Sequence, residues 1–409
     1  MNRPATLPAT QKRTARRHLR GILLATALTF AGAYSSPALG QAIQQINLTT
    51  DSNEFLVSQG MTPAAHVDPN LINPWGMSFG PTSPFWISNQ GSGNTTLYTG
   101  SGTPFPQPTP LVVTIPGSAT GPSGPTGQTF NSTTSFTLSN NNPATFLFAN
   151  LNGTISGWNG GLNPITNAQV VAGAPGSAVY TGLAIGSSGG SNFLYAANHA
   201  GGIDVFDQNF APTTLAGNFT DPNLPADLTP FNIANIGGKL YVTFAQVGPD
   251  ADEAPLGRGI VDIFNTDGSF ASRFITGSLA NNVVSPWGIT IAPAGFAGLG
   301  GNFLVGNFSD EDGFINIFDP NGSYLGQLTM NGTVFNMPYL WALGTRTGGP
   351  SIDPNAVYFT AGIGDEEHGL FAELLPVPEP SSWALMLLGF GAIGLVLRRS
   401  SKPTLAQIA

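Results

Sequence analysis

The chain has 409 residues, including 53 Gly and 34 Pro but no Cys, so thiol catalysis and Cys-ligated zinc are excluded and long helices are disfavoured. Hydrophobic residues make up 41% and charged residues 9%, which allows a core and excludes a charged disordered chain, a coiled coil and a disulfide-stabilised scaffold. Residues 43–375 hold four basic and 21 acidic residues, a net charge of −17, which disfavours nucleic acid as a partner and favours divalent cations.

Residues 1–42 have the pattern of a secretory signal peptide. Six basic residues lie within residues 1–20, an apolar run covers residues 21–33, and the small residues Ala38, Gly40 and Ala42 mark a cleavage site. The alternative is an anchor helix that is retained. The sequence therefore predicts export, with a signal peptide over residues 1–42.

Residues 43–375 form a sixfold repeat. The segments Asn73–Phe79 (NPWGMSF) and Ser285–Ile291 (SPWGITI) begin two of the units, and looser copies begin the others, among them Phe130-Asn131-Ser132. The six anchor positions are 75, 130, 181, 231, 287 and 341, so each unit has about 50 residues. Repeats of this length are typical of β-propeller blades, whereas the coils of a β-helix are much shorter.

Each unit predicts four short strands in the same order. The first follows the anchor, the second is rich in β-branched and aromatic residues, and the third alternates with a period of two. Asp-Gly and Asn-Gly turns then lead to the fourth strand. The second strands are Phe85–Asn89, Phe146–Asn150, Phe193–Asn198, Leu240–Phe244, Asn302–Asn307 and Val357–Ala361; third strands include Gly202–Phe206, Gly259–Phe264 and Gly313–Phe318; and fourth strands include Phe270–Phe274 and Tyr324–Leu328.

The sixth unit lacks a fourth strand, because its third strand, Phe371–Leu374, is followed at once by the C-terminal tail. A strand-like segment, Ile43–Thr50, precedes the first anchor. We expect this segment to become the outer strand of the last blade, which closes the ring and removes an exposed sheet edge. The predicted fold is therefore an all-β, six-bladed β-propeller of four-stranded blades over residues 43–375.

Residues 376–409 form a tail of three parts: the motif Val377-Pro378-Glu379-Pro380, an apolar run over residues 383–397, and the pair Arg398-Arg399. The run is shorter than the roughly 20 residues that usually span a bilayer. A plain tail anchor is one interpretation. The three parts together resemble the PEP-CTERM sorting signal with its short transmembrane helix. This resemblance implies recognition by an exosortase, membrane attachment before processing, and delivery to the cell surface or the extracellular matrix.

The six blades, the Pro-Trp-Gly anchors and this tail together resemble an uncharacterised bacterial family of PEP-CTERM-sorted propellers. The sequence is also broadly similar to NHL-type and lactonase-type six-bladed propellers. Proteins with this tail often accompany exopolysaccharide and biofilm production. The resemblance covers nearly the whole chain. It implies a fold and a cellular location, but no reaction.

The loops after the second strands should share one face of the propeller with the anchors, and they carry the candidate metal ligands. Calcium takes six to eight oxygen ligands from carboxylates, amides and carbonyls. The placement of Asn at the strand ends resembles the ligand supply of calcium-bearing propeller lactonases. The alternative is that the acidic loops are solvated and that Asn serves the turns. The candidates are Asn89, Asn150, Asn198, Asp250, Asp252, Asn307, Asp310, Asp312, Asp365 and Glu366.

Catalytic candidates are limited to His199 and His368, which lie three blades apart and should face each other across the channel. A lactone hydrolase would use such a group as general base beside a metal. The alternative is that both are surface histidines. Trp75, Trp287 and Trp341 recur at one blade position, which favours packing between blades over stacking on sugars.

The sequence thus predicts an exported or cell-surface binding module of unknown ligand rather than an enzyme. Its expected partners are the exosortase and either a matrix polysaccharide or a surface protein. Two alternatives are a calcium-dependent, lactonase-like hydrolase and a structural matrix protein. The first of these alternatives would require calcium, and no other cofactor is predicted.

Overall fold

The computed structural model describes residues 42–117, 123–247 and 254–377, together with residues 387, 388, 390, 391 and 393 of the tail. Residues 1–41 of the predicted signal peptide lie outside the described residues. The same is true of the predicted sorting-signal residues Pro378, Glu379, Pro380, Arg398 and Arg399.

The described chain begins with a strand and a short helix that precede the blades. These are β1 (Ile43–Thr50), α1 (Asn53–Ser58) and β2 (His66–Val67). The hydroxyl of Ser52 caps α1 by accepting the Phe55 N–H at 3.2 Å. Helix α1 was not predicted from the sequence, because its six residues bury only one side chain, Leu56, and show no helical period.

The blades follow in chain order as antiparallel sheets, and each is built from the inside of the ring outwards. The first five have four strands each, as predicted. Blade 1 holds β3 (Pro74–Ser78), β4 (Phe85–Asn89), β5 (Asn94–Tyr98) and β6 (Val112–Thr114); blade 2 holds β7 (Pro125–Phe130), β8 (Phe146–Asn150), β9 (Thr154–Trp158) and β10 (Gln169–Gly173); blade 3 holds β11 (Tyr180–Ser188), β12 (Ser191–Asn198), β13 (Ile203–Phe206) and β14 (Pro212–Thr213); blade 4 holds β15 (Leu228–Ile236), β16 (Lys239–Gln246), β17 (Ile260–Phe264) and β18 (Phe270–Thr276); and blade 5 holds β19 (Pro286–Ile291), β20 (Phe303–Asn307), β21 (Ile315–Phe318) and β22 (Tyr324–Gln327).

Blade 6 joins the two ends of the ring. A small hairpin, β23 (Thr329–Met330) and β24 (Thr333–Val334), precedes it, and its own strands are β25 (Leu340–Gly344), β26 (Val357–Ala361) and β27 (Leu370–Pro376). Strand β1 pairs antiparallel with β27, from Ile43 opposite Pro376 to Thr50 opposite Leu370. The predicted closure by an N-terminal outer strand is confirmed, and β2 adds a short parallel strand at its edge.

The inner strand of every blade carries a bulge at its anchor. In each blade, the pairing between the inner strand and the second strand shifts register at the anchor. The shift bends the inner strand and changes the direction of the anchor side chain. The shifts lie between Pro74 and Met77, Pro125 and Gln128, Tyr180 and Gly182, Pro230 and Asn232, Pro286 and Ile289, and Leu340 and Leu343.

The second anchor lies earlier in the chain than predicted. Strand β7 begins at Pro125 and ends at Phe130, so the inner strand precedes the segment that the sequence analysis placed at its start. The bulge shows that Thr126-Gly127 takes the place that Trp75-Gly76 holds in blade 1. The prediction failed because Thr replaces the aromatic anchor here and Phe130 is the next aromatic residue.

The glycine of the Pro-Trp-Gly anchors is required by close backbone approach between neighbouring inner strands. A Cβ on Gly76 would lie 2.3 Å from the carbonyl oxygen of Thr126 in the next blade. A Cβ on Gly288 would lie 2.5 Å from the carbonyl oxygen of Trp341. The missing side chain therefore lets adjacent blades meet near the channel axis.

A buried ionic cluster holds the linker that precedes blade 4. Arg273 in β18 contacts the carboxylates of Asp262 in β17 and Asp221 in the linker. Burial raises the pKa of Asp262 to about 7; Arg273 opposes this shift, and Asp221 adds to it. One guanidinium thus fixes two strands and a connection at the outer side of the blade.

A second buried carboxyl group lies inside the sheet that closes the ring. Glu373 in β27 is opposite Ile46 of β1 and Tyr358 of β26, and only 8% of it is exposed. Burial raises its pKa to about 7; a hydrogen bond with Tyr358 opposes this shift, and the charge of Asp353 adds to it. The closing sheet therefore contains a group that is costly to ionise.

Removing the closing strand should destabilise the propeller. A fragment that begins at residue 61 lacks the buried side chains of Ile43, Leu48 and Leu56. We expect a loss of about 4–8 kcal/mol, measured by urea unfolding. In the whole domain, Leu48→Asp should reproduce much of this loss, while Gln44→Asp, on an exposed position of the same strand, should not. Equal free energies of unfolding for the fragment and the whole domain would contradict ring closure.

Replacing Glu373 with Gln should stabilise the protein near pH 8 and change little near pH 5. The carboxyl has an ordinary pKa of 4.5 and a folded pKa of about 7. Between these values the folded protein holds a proton that the unfolded chain releases, so wild-type stability falls as the pH rises.

The stabilisation near pH 8 should be on the order of 1–3 kcal/mol, measured as the free energy of unfolding in urea at both pH values. Glu367→Gln, which changes an exposed loop carboxyl, is the control and should alter neither value. An equal effect of Glu373→Gln at both pH values would show that its charge is not the cause.

Candidate functional site

Six aromatic side chains close one end of the central channel, and we call them the aromatic plug. Trp341 lies at its centre, stacked on Trp75 at 3.6 Å and on Phe308 at 4.0 Å between ring centroids, with the edge of Trp287 at 5.7 Å. No plug residue is more than 7% exposed, so the tryptophans are core residues and offer no surface for sugar stacking. The plug consists of Trp75, Phe231, Trp287, Phe308, Tyr339 and Trp341.

Three of the four candidate Asn ligands are structural hydrogen-bond partners. Their amide oxygens accept backbone N–H groups that lie just before the inner strand of the same blade. Each side chain therefore ties the end of the second strand to the start of the first, and its oxygen already serves the fold. The bonds are Asn150 Oδ1 to Gly124 N at 3.1 Å, Asn198 Oδ1 to Val179 N at 3.1 Å, and Asn307 Oδ1 to Val284 N at 3.0 Å.

Asn89 departs from this pattern because the corresponding backbone N–H, that of Asn73, donates to the carbonyl of His368 instead. The Asn89 amide nitrogen donates to Asn94 Oδ1 at 2.8 Å and to Thr96 Oγ1 at 2.9 Å. Asn89 is fully buried, and its Oδ1 has no hydrogen-bond partner within the described part of the chain. Its amide group therefore serves the interior of blade 1.

The acidic loop of blade 6 is held by neighbouring side chains. The Tyr339 hydroxyl donates to Asp365 Oδ1 at 3.1 Å, and the Asn73 amide donates to Glu366 Oε1 at 3.0 Å. Both acids have positive φ, 57° and 64°, which marks a tight turn. These carboxylates therefore brace the loop against blades 1 and 6.

Among the described residues, the acidic loop of blade 5 does not join the loop of blade 6 in a metal cluster. Asp312 accepts a hydrogen bond from Asn336 at 3.1 Å, and Asp310 lies in the same loop of blade 5. Asp250 and Asp252 lie outside the described residues. Across 42–117, 123–247 and 254–377, no group of three or more His, Asp or Glu residues is arranged to hold a metal ion.

The two histidines have separate surroundings. His199 packs its ring 5.6 Å from that of Phe231, at the edge of the aromatic plug, and its Nδ1 lies 3.3 Å from the carbonyl oxygen of Pro230. His368 instead meets Asp51, just after β1, with 2.6 Å between Nδ1 and Oδ2, and stacks on Phe55 of α1 at 3.9 Å. His368 thus fastens the ring-closing segment.

Asn73 is a polar node that the sequence analysis did not single out. Its Oδ1 accepts the Trp341 indole N–H at 3.2 Å, and its amide nitrogen donates to Gln90 at 2.8 Å as well as to Glu366. It is 3% exposed and joins blades 1 and 6 beneath the loops. The feature of the sequence that could have identified Asn73 was its position directly before the Pro74-Trp75 anchor.

A central cavity of about 750 Å³ lies on the other side of the aromatic plug. The inner strands of all six blades line it, from the plug residue Trp287 to the turns that follow these strands. Side chains are buried near the plug and exposed at Ser132, Ser187 and Asn235, so the cavity opens on the face opposite the acidic loops. The lining residues include hydroxyl, amide, aromatic and aliphatic side chains, and none is charged.

Residues 376–400 match the PEP-CTERM protein-sorting motif. The motif implies processing by an exosortase, export, and sorting to the cell envelope. It begins at Pro376, the last residue of β27, so the signal follows the propeller without a linker. Where the structure describes the chain, it has no helix that is long and apolar enough to cross a membrane.

Two uncharacterised proteins of Acanthamoeba polyphaga mimivirus are similar to most of the chain. Protein L690 is 34% identical over 341 residues, which cover 78% of this chain and 84% of L690. Protein R648 is 32% identical over 345 residues, which cover 80% of each. Both matches extend far beyond the sorting motif and therefore concern the propeller itself.

Solved structures show more distant likenesses. A protein of unknown function from Bacteroides thetaiotaomicron has a TM-score of 0.48 and 11% identity, over 82% of this chain and 76% of that one. Virginiamycin B lyase from Staphylococcus aureus has a TM-score of 0.41 and 11% identity, over 82% and 99%. The calcium-binding protein regucalcin from Agrobacterium tumefaciens has a TM-score of 0.42 and 13% identity, over 74% and 90%. With TM-scores and identities this low, the ligands and reactions of these proteins are not transferred to this chain.

Removing the central ring of the aromatic plug should be costly for stability. Trp341→Ala leaves a cavity among side chains of at least four blades, and we expect a loss of about 3–5 kcal/mol in chemical unfolding. Trp341→Phe should lose less, and His199→Ala, at the edge of the plug, should lose about 1 kcal/mol or less. A loss below about 1 kcal/mol for Trp341→Ala would mean that the plug is not a structural centre.

Proposed function

The chain belongs to one family with the mimivirus proteins L690 and R648, and from that premise we propose that it is an exported, surface-sorted binding module whose ligand site is the central cavity. The observation that carries the proposal is an open cavity of about 750 Å³ without a charged lining residue. Ligand sites are usually concave, of a few hundred to a thousand cubic ångströms, and lined by apolar groups with a few polar ones.

The absence of charged residues from the cavity lining also favours binding over catalysis. General acid–base chemistry needs a titratable group within hydrogen-bond reach of the reacting atoms. The two histidines and the loop carboxylates Asp365 and Glu366 are on the opposite face, beyond the aromatic plug, where they make packing and bracing contacts. The sorting motif supports a location in the cell envelope, where a matrix polysaccharide or a surface protein would be the partner.

The calcium-dependent hydrolase and the structural matrix protein are the alternatives. The hydrolase requires a metal that is bound by the acidic loops, including residues 248–253, and a lactone substrate. The matrix protein requires association between copies of the chain. Neither alternative uses the central cavity, so a variant in which the cavity is filled separates both from the binding module.

A thermal-shift screen tests the proposal with soluble ligands of several classes and with calcium after EDTA treatment. We expect at least one organic ligand to raise the melting temperature, because binding to the folded state alone stabilises it by roughly 2.7 kcal/mol at a hundredfold excess over Kd. Thr290→Trp, which places an indole at the mouth of the cavity, should abolish the shift.

Thr333→Trp, on the exposed strand β24, is the matched control and should retain the shift. A shift that survives in Thr290→Trp would place the ligand elsewhere. A shift with calcium alone, lost in Asp310→Asn/Asp312→Asn or Asp365→Asn/Glu366→Gln, would favour the hydrolase. Concentration-dependent association without any shift would favour the matrix protein.

A further inference from the structure

We propose that the central cavity takes the free end of a neutral glycan, and this inference rests on the proposed function. The ligand would be an uncharged, hydroxyl-rich sugar segment that enters from the open face and stops at the aromatic plug. Three features of the cavity lead to this ligand class: the absence of charge, the exposed edges of its strands, and its closed end.

The absence of charge in the lining excludes recognition of an ionic ligand by a paired side chain. Lys239 and Asp267 follow the lining residues Gly238 and Thr266, but they have opposite signs, are exposed and lie outside the lining. Arg346 follows the lining residue Thr345 but is buried, with its guanidinium 4.4 Å from the Phe79 ring and its Nη2 donating to the Gly80 carbonyl at 3.1 Å. The net charge of −17 over residues 43–375 also repels anionic sugars.

The walls present backbone hydrogen-bonding groups. Each of the six inner strands is the edge strand of its blade, so one of its two backbone edges has no strand partner and faces the channel. Some of these groups are already bonded within the protein, since the Gln128 amide donates to the Gly76 carbonyl and the Asn235 amide to the Ile185 carbonyl. An apolar ligand would remove the remaining N–H and C=O groups from water without replacing their hydrogen bonds, at a cost of about 1–3 kcal/mol for each group. A sugar hydroxyl both donates and accepts, so it satisfies either kind of group.

The side chains of the cavity fit the remaining surfaces of a sugar ring. The hydroxyls of Thr290 and Thr345 lie 3.2 Å apart in the lining, and Ser132 and Ser187 are exposed near the mouth. Also in the lining, the half-buried ring of Phe130 offers an apolar surface to the C–H side of a sugar ring. The lining thus combines hydrogen-bonding groups with apolar contact.

The closed end decides which part of a glycan can enter. The plug residues are at most 7% exposed, so no chain can pass through the ring. A cavity that is open at one end admits a chain terminus and excludes the interior of a long polymer. Binding should therefore follow the number of chain ends rather than the mass of polysaccharide.

Isothermal titration calorimetry of the full chain tests this inference. The probes are neutral gluco-, galacto- and manno-oligosaccharides from disaccharide to hexasaccharide, their long linear polymers, oligogalacturonate as the anionic sugar, and Nile red as a neutral apolar dye. We expect one neutral series to bind, with affinities that agree between short and long chains when expressed per chain end. Affinity should be the same at low and high salt, because no ion pair forms.

Thr290→Trp should weaken the neutral sugar by at least about tenfold, which is 1.4 kcal/mol, while Thr333→Trp binds it like the wild type. If oligogalacturonate or Nile red binds in the cavity and no neutral sugar does, the proposed ligand class is wrong, but the proposal of a binding module is retained. Equal affinity per unit mass for short and long chains would overturn end recognition. No binding by any probe, together with a flat thermal-shift screen, would overturn both proposals.

Discussion

The bulge at the start of every inner strand is the constraint on which the rest of the structure depends. Near that point the residue after the second strand donates its backbone N–H to the carbonyl of the residue just before the inner strand, in all six blades. The repeated bond holds each anchor at the same height and turns its side chain toward the axis. The bonds are Gln90 to Asn73, Leu151 to Gly124, His199 to Val179, Val247 to Asp227, Phe308 to Ser285 and Gly362 to Tyr339.

The two faces of the propeller differ because most of the anchor residues, at the start of the inner strands, have large aromatic side chains. Four of them are aromatic, at positions 75, 231, 287 and 341, and two are threonines, at positions 126 and 181. The aromatic anchors, with Phe308 and Tyr339, fill the channel where the strands begin, and the smaller side chains further along leave it open. One face is therefore devoted to packing and loop bracing, and the other to an open cavity.

The repeat and the alternation of apolar residues were sufficient to predict the blades and the closing strand. Strands β4, β8 and β26 have the predicted bounds, because their boundaries are marked by turn residues and their side chains are buried on both faces. The second anchor was misplaced because its identity depends on a backbone bulge rather than on a residue type. Helix α1 was missed because a single turn with a cap leaves almost no periodic signal.

The candidate site was harder to predict, since it depends on the directions in which side chains point. Asn150, Asn198 and Asn307 are chemically suited to calcium, yet the nearest unsatisfied groups are backbone N–H donors, which take their oxygens. His368 lies in an acidic loop, but its partner Asp51 is 317 residues away in the sequence. The cavity is formed by strand edges from all six blades, and no local motif encodes it.

The pairing of β1 with β27 also governs when the domain can become complete. Ala42 and Val377 share a backbone hydrogen bond of 2.7 Å, and Thr50 bonds to Gly369 across 319 residues of sequence. Contacts between such distant segments form late, because the whole intervening chain must be available first. The first strand of the domain thus waits for the last one, and the ring closes only when the segment next to the sorting motif is available. The complete fold and the sorting motif therefore become available together.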